Sequence, residues 1–357
     1  MLKALRWRTG IVWGAHGASR AASRLGGVGY LSALRNSYAL LKRHGFQPDE
    51  AARLGLLAQP DGVENRYVSK RHLVARQRVL NAPSFQELTE DKALFYSVCV
   101  RQGLPVPRLL GIFLRGASGL RWPSTPLAGD QAWVEFFERG CPDEFVVKPS
   151  RGVYGEGILF LDRRQPGFSS GDLVRQLYRD TRYSSYVVQE CLQNHPDLLA
   201  LSPARGLQTL RVITYVDDEG CADVLMAYLK PIGGDNRVDN HNSGRTGNFL
   251  CPIDVATGTL GRLMMVTAVG VQELAAHPAS GASLEGRPTP LWNDVCDLAR
   301  SLALAFLPMR AVGWDIGLTP SGPVCVEGNA RWDPPKFGDV TPLRRVLYGT
   351  RTGPDGG

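Results

Sequence analysis

The sequence lacks several features that would point to particular classes of protein. No apolar run approaches the roughly 18 residues needed to cross a bilayer, and none resembles a secretory leader. The seven cysteines are an odd number without a C-x-x-C pair, and the six histidines show no H-x-x-x-H spacing. A disulfide framework and a zinc site are therefore not indicated, and we expect a soluble, cytoplasmic protein.

Acidic residues are missing from the first part of the chain, where the first is Asp49. Residues 1–50 hold eight basic and two acidic side chains, which is six of the seven net positive charges of the 357-residue chain. Such a segment fits a solvated helical face, or a peripheral contact with a membrane or an anionic polymer. We expect no nucleic-acid partner, and the oligomeric state cannot be inferred.

Helical and strand-like segments follow one another without strict alternation, which predicts an α+β fold. Leu31, Leu34, Tyr38 and Leu41 recur at helical spacing and predict an early helix that ends at Gly45. A second helix is expected over 90–102, with Thr89 as its N-cap. We divide the chain into a basic, mainly helical region at 1–85, an N-terminal lobe at 86–139, a subdomain with a glycine-rich hairpin at 140–192, a C-terminal subdomain at 193–345, and a disordered tail at 346–357.

The stretch "EFVVKPSRGVYGEGILFLD", residues 144–162, places Lys148 before its glycines. In a P-loop the lysine follows the glycines, a dinucleotide fingerprint leads into a helix, and a protein kinase has its glycine loop before its lysine. This order instead predicts a flexible β-hairpin whose lysine and loop amides close over a polyphosphate. The alternative is an ordinary glycine-rich hairpin with a solvent-facing lysine.

Two carboxylates lie in the stretch "GWDIGLTPSGPVCVEGNARWDP". A three-residue loop at 320–322 would place Asp315 opposite Glu327, with Asn329 on the same face as Glu327. Opposed carboxylates repel unless a cation lies between them, and three oxygen donors suit Mg²⁺. A register slip would instead place the two acids on opposite faces.

Together these motifs resemble the ATP-grasp superfamily, most closely the sugar-transfer-associated ATP-grasp proteins. The resemblance runs from Tyr67 to Asp333 and includes "YVSKR", "LTEDKALF", "VVQECLQNHPD", "LRVITYV" and "RVDNHNSG". It implies two α+β lobes that clamp ATP, here with an N-terminal helical extension.

The resemblance also implies which residues bind the nucleotide. Lys92 and Lys148 are similar to the basic residues that reach the phosphates. Asp197 is placed like the acid that holds the ribose. The lid loop, residues 150–157, would close over the β- and γ-phosphates and includes Ser150, Gly152, Gly155 and Gly157. The hinge resembles the segment whose backbone reads adenine and consists of Gln189, Glu190, Cys191 and Leu192.

For catalysis, Arg211 is similar to the arginine that stabilises the transferring phosphoryl group, and Lys148 and Lys230 are grouped with it. Lys230 stands where the resemblance leads one to expect arginine. Asn242 and Arg245 lie in a loop that would contact the substrate, or is simply solvated. The magnesium ligands, with Mn²⁺ as an alternative ion, would be Asp315, Glu327 and Asn329.

The activity that the resemblance implies is ATP- and Mg²⁺-dependent joining of a carboxylate to an amine through an acyl phosphate. The acceptor would be a small molecule, a saccharide or a peptide, in the modification of a cell-surface polysaccharide or peptide. Two alternatives stay open, which are a kinase acting on a hydroxyl group and a non-catalytic nucleotide-binding module.

Overall fold

The computed structural model describes residues 2–60, 67–152, 155–241, 244–337 and 341–348. Its helices are α1 (Leu2–Leu25), α2 (Tyr30–His44), α3 (Pro48–Arg53), α4 (Lys70–Leu80), α5 (Pro83–Glu90), α6 (Lys92–Arg101), α7 (Gly129–Glu135), α8 (Ser170–Arg179), α9 (Pro196–Leu201), α10 (Trp292–Ala305) and α11 (Thr341–Tyr348). A π-helical turn, Phe136–Gly140, extends α7. Its strands are β1 (Leu109–Leu114), β2 (Gly119–Arg121), β3 (Thr125–Leu127), β4 (Glu144–Pro149), β5 (Leu159–Asp162), β6 (Ser185–Glu190), β7 (Thr209–Val216), β8 (Ala222–Leu229), β9 (Cys251–Ile253), β10 (Leu263–Thr267), β11 (Gly270–Leu274), β12 (Ala311–Thr319) and β13 (Gly322–Asn329).

The first three helices form a layer with a core of its own. α1 packs against α2 and α3, and Ala18, Ala22 and Ala33 are buried where α1 and α2 meet. Small side chains allow the helices to approach closely. α2 ends as predicted, because Gly45 adopts a left-handed φ of 73° and its N–H reaches the carbonyl of Leu41. The N-terminal helical extension is thus confirmed.

No helix among the described residues combines the length and the apolarity needed to span a membrane.

The first sheet has the strand order β3-β2-β1-β6-β4-β5, and all its neighbours are antiparallel. β4 and β5 form the predicted hairpin, with Val146 opposite Phe160. Side chains of β6 alternate between two cores, because Val188 packs with α7 and α8 whereas Val187 packs with α6 and the second sheet. Lys148 lies opposite Val187, so Lys148 faces the second sheet.

The second sheet is also antiparallel, in the order β13-β12-β7-β8-β9. One core joins it to α6, α10 and the first sheet. In that core Phe306 lies 5.3 Å from Phe95 of α6 and 5.4 Å from Trp314 of β12, measured between ring centroids. Each large apolar side chain buried in this way contributes about 1.5–3 kcal/mol. Burial of these side chains therefore holds the two sheets packed against one another.

The turn between β12 and β13 differs from the prediction. Thr319 pairs with Gly322, so the loop contains only Pro320 and Ser321. The expectation of a three-residue loop at 320–322 was wrong. Gly322 has a φ of 124°, which favours glycine, but it is the first residue of the strand and not part of the loop.

A β-bulge restores the predicted pairing further along this hairpin. Ile316 pairs with Cys325, whereas Asp315 pairs with Glu327, so Val326 is an extra residue on β13. The shorter loop and the bulge each shift the register by one residue, in opposite directions. Asp315 therefore lies opposite Glu327 as predicted, although the route to that pairing is different.

The helix expected over 90–102 also begins differently. Thr89 belongs to α5, and its hydroxyl donates to the carbonyl of Gln86. Asp91 is the N-cap of α6, where its carboxylate accepts hydrogen bonds from the N–H groups of Ala93 and Leu94 at 2.9 and 3.2 Å. The two short helices meet at Asp91, which makes Lys92 the first residue of α6.

Candidate active site

The site is built around a row of side chains that crosses the second sheet. Asp315 on β12 pairs with Glu327 on β13 and with Arg211 on β7, and Arg211 in turn pairs with Tyr228 on β8. Directly opposed residues share a face of the sheet. Four adjacent strands therefore bring two carboxylates and a guanidinium together.

Asp315 is buried and held by two cations. The Arg211 Nε lies 2.6 Å from Oδ1 of Asp315, and its Nη2 lies 3.2 Å from Oδ2. The Lys230 Nζ lies 3.2 Å from Oδ2 of the same carboxylate. Burial opposes the negative charge of Asp315, but Arg211 and Lys230 outweigh burial and lower its pKa to about 2. Asp315 is therefore ionised at neutral pH.

Lys230 also contacts an acid that the sequence analysis did not identify. Its Nζ lies 3.3 Å from Oδ2 of Asp239, an oxygen that also accepts hydrogen bonds from the backbone N–H and the hydroxyl of Thr209. Burial opposes the charge on Lys230, but Asp239 and Asp315 together raise its pKa above the usual value. The lysine at this position is therefore a charged member of the cluster.

Lys92 links helix α6 to the lid and to the second carboxylate. Its buried Nζ lies 3.0 Å from Oε1 of Glu327 and donates to the carbonyl of Gly152 at 3.2 Å. Its backbone N–H donates to the carbonyl of Ser150 at 2.9 Å. One residue thus joins the helix, the glycine loop and β13.

Lys148 reaches the same region from the first sheet, through Tyr96. The Lys148 Nζ donates to the Tyr96 hydroxyl at 2.7 Å, and that hydroxyl lies 2.9 Å from both Oε1 of Gln189 and the carbonyl of Val326. Burial, reinforced by the nearby charge of Lys92, lowers the pKa of Lys148 to about 7. Glu327 opposes this shift only in part. Lys148 is therefore buried, and the alternative prediction of a solvent-facing lysine on an ordinary hairpin is wrong.

Tyr96 was missed by the sequence analysis, although a signal was present. It lies four residues after Lys92, so the two side chains share one face of α6. A polar aromatic residue one turn after a lysine that is predicted to bind phosphate is a candidate partner in the same site.

The lid loop has the backbone that its glycines predict. Gly155 and Gly157 have φ values of 75° and 74°. A Cβ at Gly157 would lie 2.9 Å from both Pro149 and Tyr183, so the chain could not carry a side chain there without distortion. Ser150 is buried, and its hydroxyl has no partner among the described residues. Val153 and Tyr154 lie outside the described residues.

The segment predicted to bind adenine borders a cavity of about 220 Å³. Its lining includes Cys191, Phe160 of β5 and Arg237. The Arg237 guanidinium lies 4.5 Å from the centre of the Phe160 ring. Glu190 turns its carboxylate to the N–H of Arg108 at 2.7 Å. Cys191 is therefore the described hinge residue that lines the cavity.

Among the described residues, Asp197 and Arg245 are not joined to this cluster. The Asp197 carboxylate is 76% exposed and lies 3.8 Å from Nδ1 of His195, which caps α9. Arg245 is exposed, without a contact to the cluster among the described residues. Asn242 lies outside those residues. Their predicted roles with ribose and substrate remain predictions.

The donor set fits a hard divalent cation. Among the described residues no three His, Cys, Asp or Glu side chains form a metal cluster. Asp315 and Glu327 are nevertheless paired across the hairpin, and Asn329 commits only its amide nitrogen, to the carbonyl of Gly313 at 3.3 Å. Two carboxylates and one amide oxygen are the few protein ligands that Mg²⁺ takes alongside water and phosphate.

Fold and site together define a two-lobed α+β protein in which both sheets and a helix direct charged side chains to one place. A family model described as sugar-transfer associated ATP-grasp matches residues 75–337. The chain belongs to this family, which confirms the resemblance and the predicted fold. ATP-grasp enzymes generally use ATP and divalent metal ions.

Solved structures give weaker likenesses. An L-amino acid ligase from Bacillus licheniformis is 13% identical with a TM-score of 0.37, over 69% of this chain and 41% of the ligase. A phosphoribosylamine–glycine ligase from Thermotoga maritima is 13% identical with a TM-score of 0.44, over 76% of this chain and 56% of the ligase. A D-alanine–D-alanine ligase from Bacillus anthracis complexed with ATP is 12% identical with a TM-score of 0.35, over 68% of this chain and 55% of the ligase.

This chain thus spans only about two fifths to three fifths of those proteins. Likeness at this level carries no information on the reaction. No curated protein matches the sequence significantly.

Proposed function

We propose that this protein is an ATP- and Mg²⁺-dependent carboxylate–amine ligase that acts through an acyl phosphate. One observation carries the proposal, which is the opposed pair Asp315 and Glu327 with a cation in contact with each carboxylate. Family membership supports ATP as the nucleotide.

The four cations of the site suit a triphosphate because they approach from different elements. Lys92 comes from α6, Lys148 from β4, Arg211 from β7 and Lys230 from the end of β8. All four are largely buried. Charge spread over phosphate oxygens is stabilised best by fixed donors in a site of low polarity, where they need no reorganisation.

A bound Mg²⁺ would be held by Asp315, Glu327 and Asn329, and it would neutralise phosphate charge and orient the terminal phosphate. Lys92 and Lys148 would hold phosphate oxygens, and the lid loop lies beside them because Lys92 contacts the carbonyl of Gly152. Arg211 would stabilise the phosphoryl group in transfer. The lid would exclude water from the hydrolysable acyl phosphate.

The proposed reaction has two steps. A carboxylate oxygen of the substrate attacks the terminal phosphorus, and the bond to ADP breaks. The amine then attacks the acyl carbon, phosphate leaves, and the nitrogen loses a proton. No side-chain nucleophile is needed, since the residues position and neutralise.

For the substrate, the family description refers to sugar transfer. We therefore propose a saccharide- or peptide-linked acceptor, handled in the cytoplasm where ATP is available. The loop that holds Arg245 and Asn242 is our candidate for its contact.

Isotope transfer tests the mechanism. With a carboxylate substrate identified by stimulated ADP release from a panel of amino acids and amino or carboxy sugars, ¹⁸O in that carboxylate should appear in the released phosphate. Unlabelled phosphate would refute the acyl-phosphate route. A phosphorylated product without an amide would identify a kinase instead. A biological role that survives Asp315→Ala and Glu327→Ala would identify a non-catalytic module.

A further inference from the structure

The layer formed by α1, α2 and α3 exposes large apolar side chains next to cations. Trp13 of α1 is 77% exposed, and Leu31 and Tyr38 of α2 are 77% and 66% exposed. Isolated exposed apolar residues are common on protein surfaces, but two large ones in line with cations on one helix, as on α2, are a sign of an interaction site.

The exposed residues of α2 form one stripe. Leu31, Arg35, Tyr38 and Lys42 follow one another at spacings of four, three and four residues and are all exposed. The buried residues of the same helix, among them Ala33, lie on the opposite side. The stripe therefore points away from the core of the layer.

α1 repeats this arrangement. Trp13, Gly17, Arg20 and Arg24 have the same spacing and are exposed, whereas Ala18 and Ala22 are buried on the other side. Among the side chains that the structure describes, the two helices include five exposed cations, which are Arg20, Arg24, Arg35, Lys42 and Arg43. Among the described residues none of these five forms an ion pair with a carboxylate. No acid occurs in the sequence before Asp49.

We propose that the outward stripe of α2, which contains Leu31, Arg35, Tyr38 and Lys42, docks the protein on an anionic membrane surface. Uncompensated cations are complementary to acidic lipid headgroups. The exposed Leu31 and Tyr38 favour a membrane over a soluble polyanion, because a lipid interface buries a leucine side chain and a polyanion does not. This inference does not depend on the proposed reaction.

Docking through this layer would also orient the site. The Oε1 atom of Glu50 in α3 accepts a hydrogen bond from the N–H of Lys70 at 2.7 Å, and the Nζ of Lys70 lies 2.6 Å from Asp333. Asp333 follows the proposed metal ligand Asn329 by four residues. The layer and the site are therefore connected through α4, so a docked layer fixes how the site faces the membrane.

Vesicle flotation with the full chain provides the test. The protein should float with phosphatidylcholine vesicles that contain phosphatidylserine, not with pure phosphatidylcholine, and added salt should weaken binding. Arg35→Glu with Lys42→Glu should weaken binding by about tenfold or more. Leu31→Ser with Tyr38→Ser should also weaken it, by about tenfold, because buried apolar area is lost.

Val79→Ser is the matched control, since Val79 is 70% exposed on α4, outside the layer, and should leave binding unchanged. Thermal melting and ATP binding establish that each variant is folded. Vesicle binding that is unchanged in the Leu31 and Tyr38 double variant would overturn the proposal in favour of a polyanion surface. Tight binding to soluble RNA or heparin in place of vesicles would do the same. Absence of wild-type binding to acidic vesicles would overturn it, as would a dimer that the same double variant dissociates.

Discussion

The pKa of Lys148 predicts how ATP binding depends on pH. Burial and Lys92 lower that pKa to about 7, whereas a bound triphosphate favours the ammonium form and raises it again. Above pH 7 the free protein must therefore take up a proton when ATP binds. Affinity should follow the protonated fraction, which falls from one half at pH 7 to about one hundredth at pH 9. The expected loss is roughly fiftyfold.

The same shift has a consequence for the free protein, with a definite sign. Because the folded pKa is below the unfolded value of 10.5, the unfolded chain holds more protons between about pH 7 and 10.5. In that window Lys148 makes stability rise with pH. ATP affinity and the stability contributed by Lys148 thus change in opposite directions.

Isothermal titration calorimetry at saturating Mg²⁺, in buffers of different ionisation enthalpy, measures both affinity and proton uptake. The range above about pH 7 is suitable because the terminal phosphate is then fully ionised. The Lys148→Gln variant should bind ATP weakly, and its affinity should not change with pH. The Lys148→Arg variant keeps its charge at every pH, so its ATP affinity should also lack the pH dependence. Tyr96→Phe removes the acceptor at 2.7 Å and should move the midpoint to lower pH. Wild-type affinity that is flat from pH 7 to 9, without proton uptake, would refute the reasoning.

Two further predictions concern the carboxylates and the lid. Asp315→Asn leaves Arg211 buried with a neutral partner and Lys230 with Asp239 as its one remaining carboxylate in contact among the described residues. It should destabilise the fold by about 3–5 kcal/mol in urea unfolding, while half-buried Glu327→Gln should cost less and still abolish Mg²⁺-dependent turnover. Since the pKa of Asp315 is lowered from 3.8 to about 2, its contribution should be present above pH 4 and be lost as the pH falls through 2. Gly157→Ala introduces the contacts at 2.9 Å and should raise the KM for ATP without a loss of α10 and β12 packing; an unchanged KM would contradict a closed lid.

Local patterns in the sequence predicted the parts of the site that local structure determines. Glycines in the lid and alternation along β12 and β13 identified Lys148, Asp315 and Glu327. The pairing of Asp315 with Glu327 came out right although the loop was one residue shorter, since the bulge at Val326 compensated for it. A bulge depends on packing against neighbouring strands, which a single strand sequence does not encode.

Contacts between distant segments could not be predicted in this way. Asp239 reaches Lys230 and Thr209 from a loop, and the hydrogen bond to Thr209 spans 30 residues. Nothing in the spacing of these residues distinguishes Asp239 from the other polar residues of that loop. Tyr96 differs, because its helical spacing from Lys92 was available and was not used.

The contacts of the cations suggest how a buried, charged site can bind a charged nucleotide. Lys92 and Lys230 each contact a carboxylate, Glu327 or Asp315, that is also a proposed ligand of the metal. Burying a cation without a partner would cost several kcal/mol. When Mg²⁺ and a triphosphate bind together, the carboxylates can turn to the metal while the lysines turn to the phosphates. Because each charge exchanges one partner of opposite sign for another, metal and nucleotide should bind more favourably together than either does alone.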